Sequence, residues 1–300
     1  MKLGYIGLGK MGKNMVFRLL EQGVEVVAWN RSPEPLEEVK KAGAVASKDI
    51  PDLVSKLSTP RIIWIMLPQG PLVDEFIAQV VPHLEKGDLV IDGGNSFYKD
   101  SVRRGEELSK RGIHFMDIGT SGGPGGARKG ACLMVGGSRE DFERIKELLK
   151  AIAAPESYGH FGDVGAGHFA KMVHNGIEYG MMEAIGEGAA ILKNSPFNID
   201  LREVFRVYNK GSVIESSLVG WTQEALEEDP ELSDISTKID ATGEGEWTVD
   251  AAKEQGIDAR VIDDSLKVRQ ESTPDSGDFR AQIVSAMRGK FGGHSVKKSS

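Results

Sequence analysis

An α/β domain followed by an all-helical one is the fold class this sequence predicts, and three observations predict it. Short β-rich runs alternate with helical patterns through the first half of the chain. A glycine-rich turn joins the first of those runs to the first helix, and no strand pattern follows the run at 157–160. The expected limits are 1–163 for the first domain, 164–294 for the second and 295–300 for a short polar tail.

The strand patterns fall at 2–6, 24–29, 61–67, 88–92, 114–118, 131–135 and 157–160. Amphipathic helical patterns separate them at 10–22, 34–42, 71–84, 98–110 and 139–150. Helix ends carry ordinary signals, as in Lys110-Arg111-Gly112. Such alternation favours a mostly parallel sheet covered by helices on both faces. From Gly165 to Lys193 the pattern changes to one long helix despite several glycines, which close packing must offset. Helical patterns continue at 200–208, 212–227, 247–256, 259–271 and 275–288.

With 300 residues, 40% of them apolar, the chain can bury two cores. A formal charge of −8 gives no reason to expect nucleic acid as a partner. No apolar stretch approaches membrane-spanning length, and the amino terminus enters a strand pattern at residue 2, so no signal segment or membrane is expected. The single cysteine, Cys132, excludes an internal disulfide framework and reads as a buried strand residue in ACLMV. A reducing, cytoplasmic setting is the expectation.

Gly7-Leu8-Gly9-Lys10-Met11-Gly12 follows the strand KLGYI and opens a helix. The first glycine permits the turn, the second the approach of a pyrophosphate, and the third close helix–strand packing. This strand–loop–helix setting marks a Rossmann-type dinucleotide-binding domain. The next strand ends in Asn30-Arg31-Ser32, without the acidic residue that commonly binds the NAD ribose. Arg31 suits an adenosine 2′-phosphate, which places NADP ahead of NAD, although an arginine also serves the adenine face of NAD. Leu67-Pro68 and the Asp92–Ser96 loop, with Asn95, follow later strands and suit the nicotinamide side. Ser121, Gly122 and Gly123 follow the 114–118 strand, where a hydroxyl and backbone amides suit a carboxylate or hydroxyls.

Lys171, His174, Asn175 and Glu178 recur at offsets of three, four and seven, and so share one helix face, with Tyr179 beside them. A lysine, an imidazole, an amide and a carboxylate on one face suit proton transfer. Taken singly, each reads as a solvated or packed helix residue.

GLGKMG, NRS, DGGNS, GTSGGPGGAR, GAGHFAKMVHNGIEYGMMEAIGE, TGEGEWT and FGGH together resemble the decarboxylating 6-phosphogluconate dehydrogenases in their short-chain form. The resemblance covers nearly the whole chain. It implies Lys171 as general base and Glu178 as general acid. It implies that His174 and Asn175 hold substrate oxygens, that Tyr179 and Arg269 contact phosphate, and that Asn95, Ser121, Gly122 and Gly123 complete the sugar-acid site. It also implies a homodimer or homotetramer in which Arg288 and His294 reach a neighbouring active site. Two departures stand out: Thr242 and Glu246 occupy positions that are lysines in long family members, and the helical region is much shorter.

The implied chemistry oxidises C3 of 6-phospho-D-gluconate, loses CO2 from the resulting β-keto acid, and protonates an enediol to give D-ribulose 5-phosphate. Lysine's reference pKa near 10.4 must fall for Lys171 to act as base. The β-keto group is the electron sink, so no metal is required, and the six histidines form no close cluster with Cys132. A dehydrogenase for a smaller 3-hydroxy acid would use Lys171 and Asn175 but not Glu178 or a phosphate pocket. A nucleotide-sensing protein without turnover is the alternative from another class.

Overall fold

Alternate residues of the early strands serve two different cores. In β1 (Lys2–Ile6), Leu3 and Tyr5 enter one cluster and Ile6 the other; in β4 (Ile62–Ile65), Ile62 and Trp64 alternate with Ile63 and Ile65 in the same way. A sheet apolar on both faces must be covered on both. The computed structural model, which describes residues 1–240, 243–274, 276–293 and 296, resolves that requirement in the first of two compact units, Met1–Lys171.

The other strands of this unit are β2 (Glu25–Trp29), β3 (Val45–Ala46), β5 (Leu89–Asp92), β6 (His114–Ser121), β7 (Ala131–Gly136) and β8 (Ala153–Gly162). They form one sheet in the order β3-β2-β1-β4-β5-β6-β7-β8. Its helices are α1 (Lys10–Glu21), α2 (Pro33–Lys41), α3 (Ile50–Ser55), α4 (Pro71–Val80), α5 (Tyr98–Ser109), α6 (Gly123–Lys129), α7 (Arg139–Arg144) and α8 (Lys146–Ile152). Strand order reverses at β1 and β4, so the loops after Ile6 and Ile65 flank the switch point where such sheets bind ligands.

The sheet is Rossmann-type and parallel from β1 to β6, but β7 runs antiparallel to β6, with Ser121 opposite Cys132. Only Gly122–Gly130 separates the two strands, too little for the crossover that a parallel return needs. Three short elements lie outside the expected patterns. β3 has two residues, α6 is the glycine-rich GPGGARK, and α3 has six residues, started by Asp49 accepting from the Asp52 N–H at 2.8 Å. The strand expected at 114–118 runs on through Gly119, Thr120 and Ser121 as β6. Cys132 is exposed rather than buried. Further along β7, the backbone of Ala166 and Gly167 packs against Gly136.

The second compact unit runs from Met172 onward and is all-helical among the described residues. α9 (Ala166–Lys193) enters it from the first unit; α10 (Leu201–Tyr208), α11 (Ser217–Glu228), α12 (Glu244–Glu254), α13 (Arg260–Glu271) and α14 (Phe279–Gly292) follow. Its core gathers Met182, Phe205, Leu226, Phe279, Val284 and Met287. Each glycine in α9 forfeits about 1 kcal/mol of helix propensity relative to alanine. Contact explains most of them: a Cβ at Gly176 would lie 2.6 Å from Thr248, and one at Gly186 would lie 2.9 Å from the Arg280 carbonyl. Gly188 has nothing within 4 Å, and packing does not account for it.

Candidate active site

The glycine loop has the shape a pyrophosphate needs. Gly7 takes φ +100°, and a Cβ there would lie 2.3 Å from the Met66 carbonyl; one at Gly12 would lie 2.2 Å from the Gly7 carbonyl. At Gly9 a Cβ would meet nothing within 4 Å, so the loop is packed on its inner side and open above its second glycine. α1 starts there with no acidic residue in its first turn, which leaves its positive end available to an anion. Lys10 is exposed and Met11 half-buried at this start.

Asn30 ties two loops together. Its Oδ1 accepts the Leu8 N–H at 2.9 Å, and its Nδ2 donates to the Ser32 carbonyl at 2.9 Å. Leu8 is buried, so its part in the site is to hold the loop, while Arg31 and Ser32 are exposed beyond β2. Across the switch point Leu67 is half-buried and Pro68 exposed. These residues fit a dinucleotide with pyrophosphate at α1 and adenosine toward Arg31.

The loop after β5 is braced from below. Buried Asp92 accepts from Ser96 Oγ at 2.7 Å, from the Gly94 N–H at 3.2 Å and from Arg104 Nη1 at 3.2 Å. Arg104, only 1% exposed, also donates to Asp74 and to the Gly70 carbonyl. Charge-assisted bonds to a fully buried acid make this a rigid mount. Asn95 Oδ1 accepts the Thr120 N–H at 3.3 Å, joining this loop to the end of β6. Ser121 ends β6, Gly122 caps α6 in the left-handed region, and Gly123 starts that helix.

Lys171 is 5% exposed and lies against Gly119, where a Cβ would come within 2.3 Å of the lysine Cβ. Only glycine leaves room for the lysine stem at that point of β6. Buried Asp117, two residues earlier, accepts the Gly165 and His168 N–H groups, each at 2.7 Å, and so caps the start of α9. His168 is also buried. Its Nε2 lies 3.0 Å from the Gly94 carbonyl, which can only accept, so Nε2 carries the proton and Nδ1 takes the Ser101 hydroxyl at 2.7 Å. His168 thereby links the Asn95 loop to the helix that carries Lys171.

In the second unit, His174 Nδ1 lies 3.0 Å from Asn175 Oδ1 and 3.9 Å from Glu178 Oε2. Asn175 Nδ2 donates to Glu244 Oε1 at 3.2 Å, and Thr248 Oγ1 donates to the Met172 carbonyl at 2.8 Å. Tyr179 is buried, with the Arg269 guanidinium 3.3 Å from its ring centre. Burial pushes Arg269 and Arg288 below the usual guanidinium range, partly opposed by Tyr179 and Glu178 near both. His294 and Thr242 lie outside the described residues.

Asp117, His168 and Glu244 hold site residues in place but were not expected to. The signal available for His168 and Glu244 was their position inside the HFAK and TGEGEWT motifs. Among the described residues no group of three or more His, Cys, Asp or Glu is arranged to hold a metal, and no helix is long and apolar enough to cross a membrane.

Two family sequence models match this chain. One, described as the NAD binding domain of 6-phosphogluconate dehydrogenase, covers residues 2–176; the other, the C-terminal domain of that enzyme, covers 167–290. The chain belongs to the 6-phosphogluconate dehydrogenase family. Bacillus subtilis YqeC, provisionally named a 6-phosphogluconate dehydrogenase, is 44% identical over 99% of this chain and 100% of its own length. An NAD(+)-dependent, decarboxylating 6-phosphogluconate dehydrogenase of Haloferax volcanii is 41% identical over 99% of each chain. The solved structure of Plasmodium falciparum 6-phosphogluconate dehydrogenase, studied with NADP+ and with 6-phosphogluconate, superposes with a TM-score of 0.83 at 32% identity, covering 97% of this chain and 64% of that one. The Rossmann-type domain and the helical domain after it are therefore those of this oxidoreductase family.

Proposed function

We propose that this chain converts 6-phospho-D-gluconate to D-ribulose 5-phosphate and CO2, with NADP ahead of NAD as electron acceptor. The observation that carries the reading is α9. It places Lys171 and Glu178 two helical turns apart on one face, with the lysine buried against Gly119. Gly7, Gly9, Gly12 and the start of α1 would hold the pyrophosphate, and exposed Arg31 and Ser32 would meet the adenosine phosphate. When bound, the dinucleotide supplies the electron acceptor for oxidation at C3.

Lys171 removes the C3 hydroxyl proton, and it must be neutral to do so. Oxidation leaves a carbonyl β to the carboxylate, and protonated Lys171 stabilises the oxygen charge that grows as CO2 departs. Glu178 then gives a proton to C1 of the enediol. Asn95, Ser121, Gly122, Gly123, His174 and Asn175 orient the hydroxyls and carboxylate, while Tyr179 and Arg269 hold the phosphate. The buried guanidiniums favour a phosphorylated substrate over a smaller 3-hydroxy acid. The chain acts as a cytoplasmic homo-oligomer, a dimer or tetramer, where its phosphorylated substrate and dinucleotide are available.

Steady-state kinetics with 6-phosphogluconate and each cofactor, following reduced dinucleotide and CO2 together, test this reading. Equal amounts of both products, with higher kcat/KM for NADP, are expected. Cofactor reduction without CO2 would overturn the decarboxylation, and preference for NAD would overturn the role of Arg31.

A further inference from the structure

We propose that His168 is a positioning residue: the hydrogen bond from its Nε2–H to the Gly94 carbonyl fixes where Asn95 stands relative to Lys171. At 1% exposure His168 acts through its neighbours rather than on a substrate. The assignment deepens the reading of Lys171 as the base and rests on it.

Contacts within the first unit close into a circuit. The Lys171 stem lies against Gly119 of β6. Thr120, the next residue of that strand, gives its backbone N–H to Asn95 Oδ1 at 3.3 Å. Gly94, which precedes Asn95 in the chain, accepts from His168 at 3.0 Å. His168 stands on α9 three residues before Lys171, so the path returns to its start on one helix face. A closed path of this kind holds a separation that an open one leaves free, and it is how supporting residues keep a site in register.

The Gly94 link is the sensitive one. Its carbonyl shares a planar peptide unit with the Asn95 N–H, so the direction of that carbonyl sets the direction of the backbone carrying Asn95. The loop cannot compensate by shifting, because the Gly94 N–H donates to Asp92 Oδ1 at 3.2 Å and a Cβ there would lie 2.7 Å from the Leu67 carbonyl. With Oδ1 given to Thr120, Asn95 has its Nδ2 hydrogens to offer a ligand oxygen. His168 is oriented in turn by fully buried Ser101, whose Oγ meets Nδ1 at 2.7 Å. Ser101 lies one turn before Arg104 on α5, and Arg104 grips Asp92 at the foot of the same loop. An Nδ1 that accepts leaves Nε2 to carry the proton toward Gly94.

Two conservative variants separate the two bonds of the ring. A glutamine amide can place its nitrogen where Nε2 stood, whereas asparagine can place its oxygen near Nδ1 and stops short of Gly94. With 6-phosphogluconate, His168→Gln should keep kcat within about threefold of wild type and His168→Asn should lose about 10²-fold, the cost of a misplacement of about 1 Å. The dissociation constant for NADP should be the same in all three proteins, because the Gly7–Gly12 turn lies outside the circuit. Equal losses of kcat in both variants, or a folded His168→Asn with wild-type kcat, would overturn the proposal. Nitrogen-15 spectra of the histidines in the wild-type protein test it even where a variant fails to fold. A proton on His168 Nε2 at neutral pH is expected, and a bare Nε2 would overturn the assignment. Absence of turnover in the wild-type protein is a separate failure, of the sugar-phosphate reading itself, and the nitrogen-15 result then still decides the bond to Gly94.

Discussion

Around Lys171 the first unit places hydrogen-bonded groups whose needs are met within the fold, whereas around Tyr179 the second places buried charge. Asp117 accepts two backbone N–H groups, His168 has a partner for each ring nitrogen, and Asp92 is bonded to Ser96, Gly94 and Arg104. In the second unit, Arg269 has two buried nitrogens without partners, and Glu183 and Glu244 each have one such oxygen. The first arrangement is organised before any ligand arrives. The second keeps buried donors open to a ligand, so its stability is expected to change most when one binds.

The contrast breaks most visibly at Gly119. Valine there would drive a side chain into Lys171 and disturb a site that is otherwise pre-set. We expect kcat/KM to fall about 10²-fold or more from misplacement alone, with a stability loss of about 1–3 kcal/mol from overpacking. Kinetics and urea unfolding of Gly119→Val check both, and near-normal turnover would show that Lys171 does not depend on this contact.

A smaller effect sharpens the second half of the comparison. Burial raises the Glu183 carboxyl above its ordinary value of 4.5, and the Arg280 guanidinium opposes that rise without cancelling it. A raised folded-state pKa means that the folded chain holds the proton more tightly than the unfolded one. The contribution to stability is therefore complete below 4.5 and lost as pH climbs through the raised value. Glu183→Gln should flatten the stability profile from 4.5 upward, as read by denaturation midpoints across that window. A variant profile with the wild-type slope would show that Glu183 is not the group titrating.

Much of the fold was legible because its signals are local. The alternation of Leu3, Tyr5 and Ile6 and the turn at Gly7–Gly12 lie within single elements, as do the offsets from Lys171 to Glu178. What escaped depends on distant partners or on very short elements. β3 is two residues long, α6 is too rich in glycine to read as helix, and the reversal of β7 follows from a connection too short to cross over. No local signal shows why Gly119 must be glycine, because the reason, Lys171, stands fifty-two positions further on. Glu244 was passed over for the same reason, since Asn175, which it holds, lies on another helix.

The central claim is that Lys171 and Glu178 move protons at different steps, and single-turnover kinetics with 6-phosphogluconate test it most directly. Lys171→Ala should slow cofactor reduction by about 10²–10⁴-fold, the usual contribution of a positioned base. Glu178→Ala should leave the first oxidation nearly intact and slow formation of ribulose 5-phosphate. Unchanged cofactor reduction in Lys171→Ala, with the variant folded as judged by its melting temperature, would contradict the account.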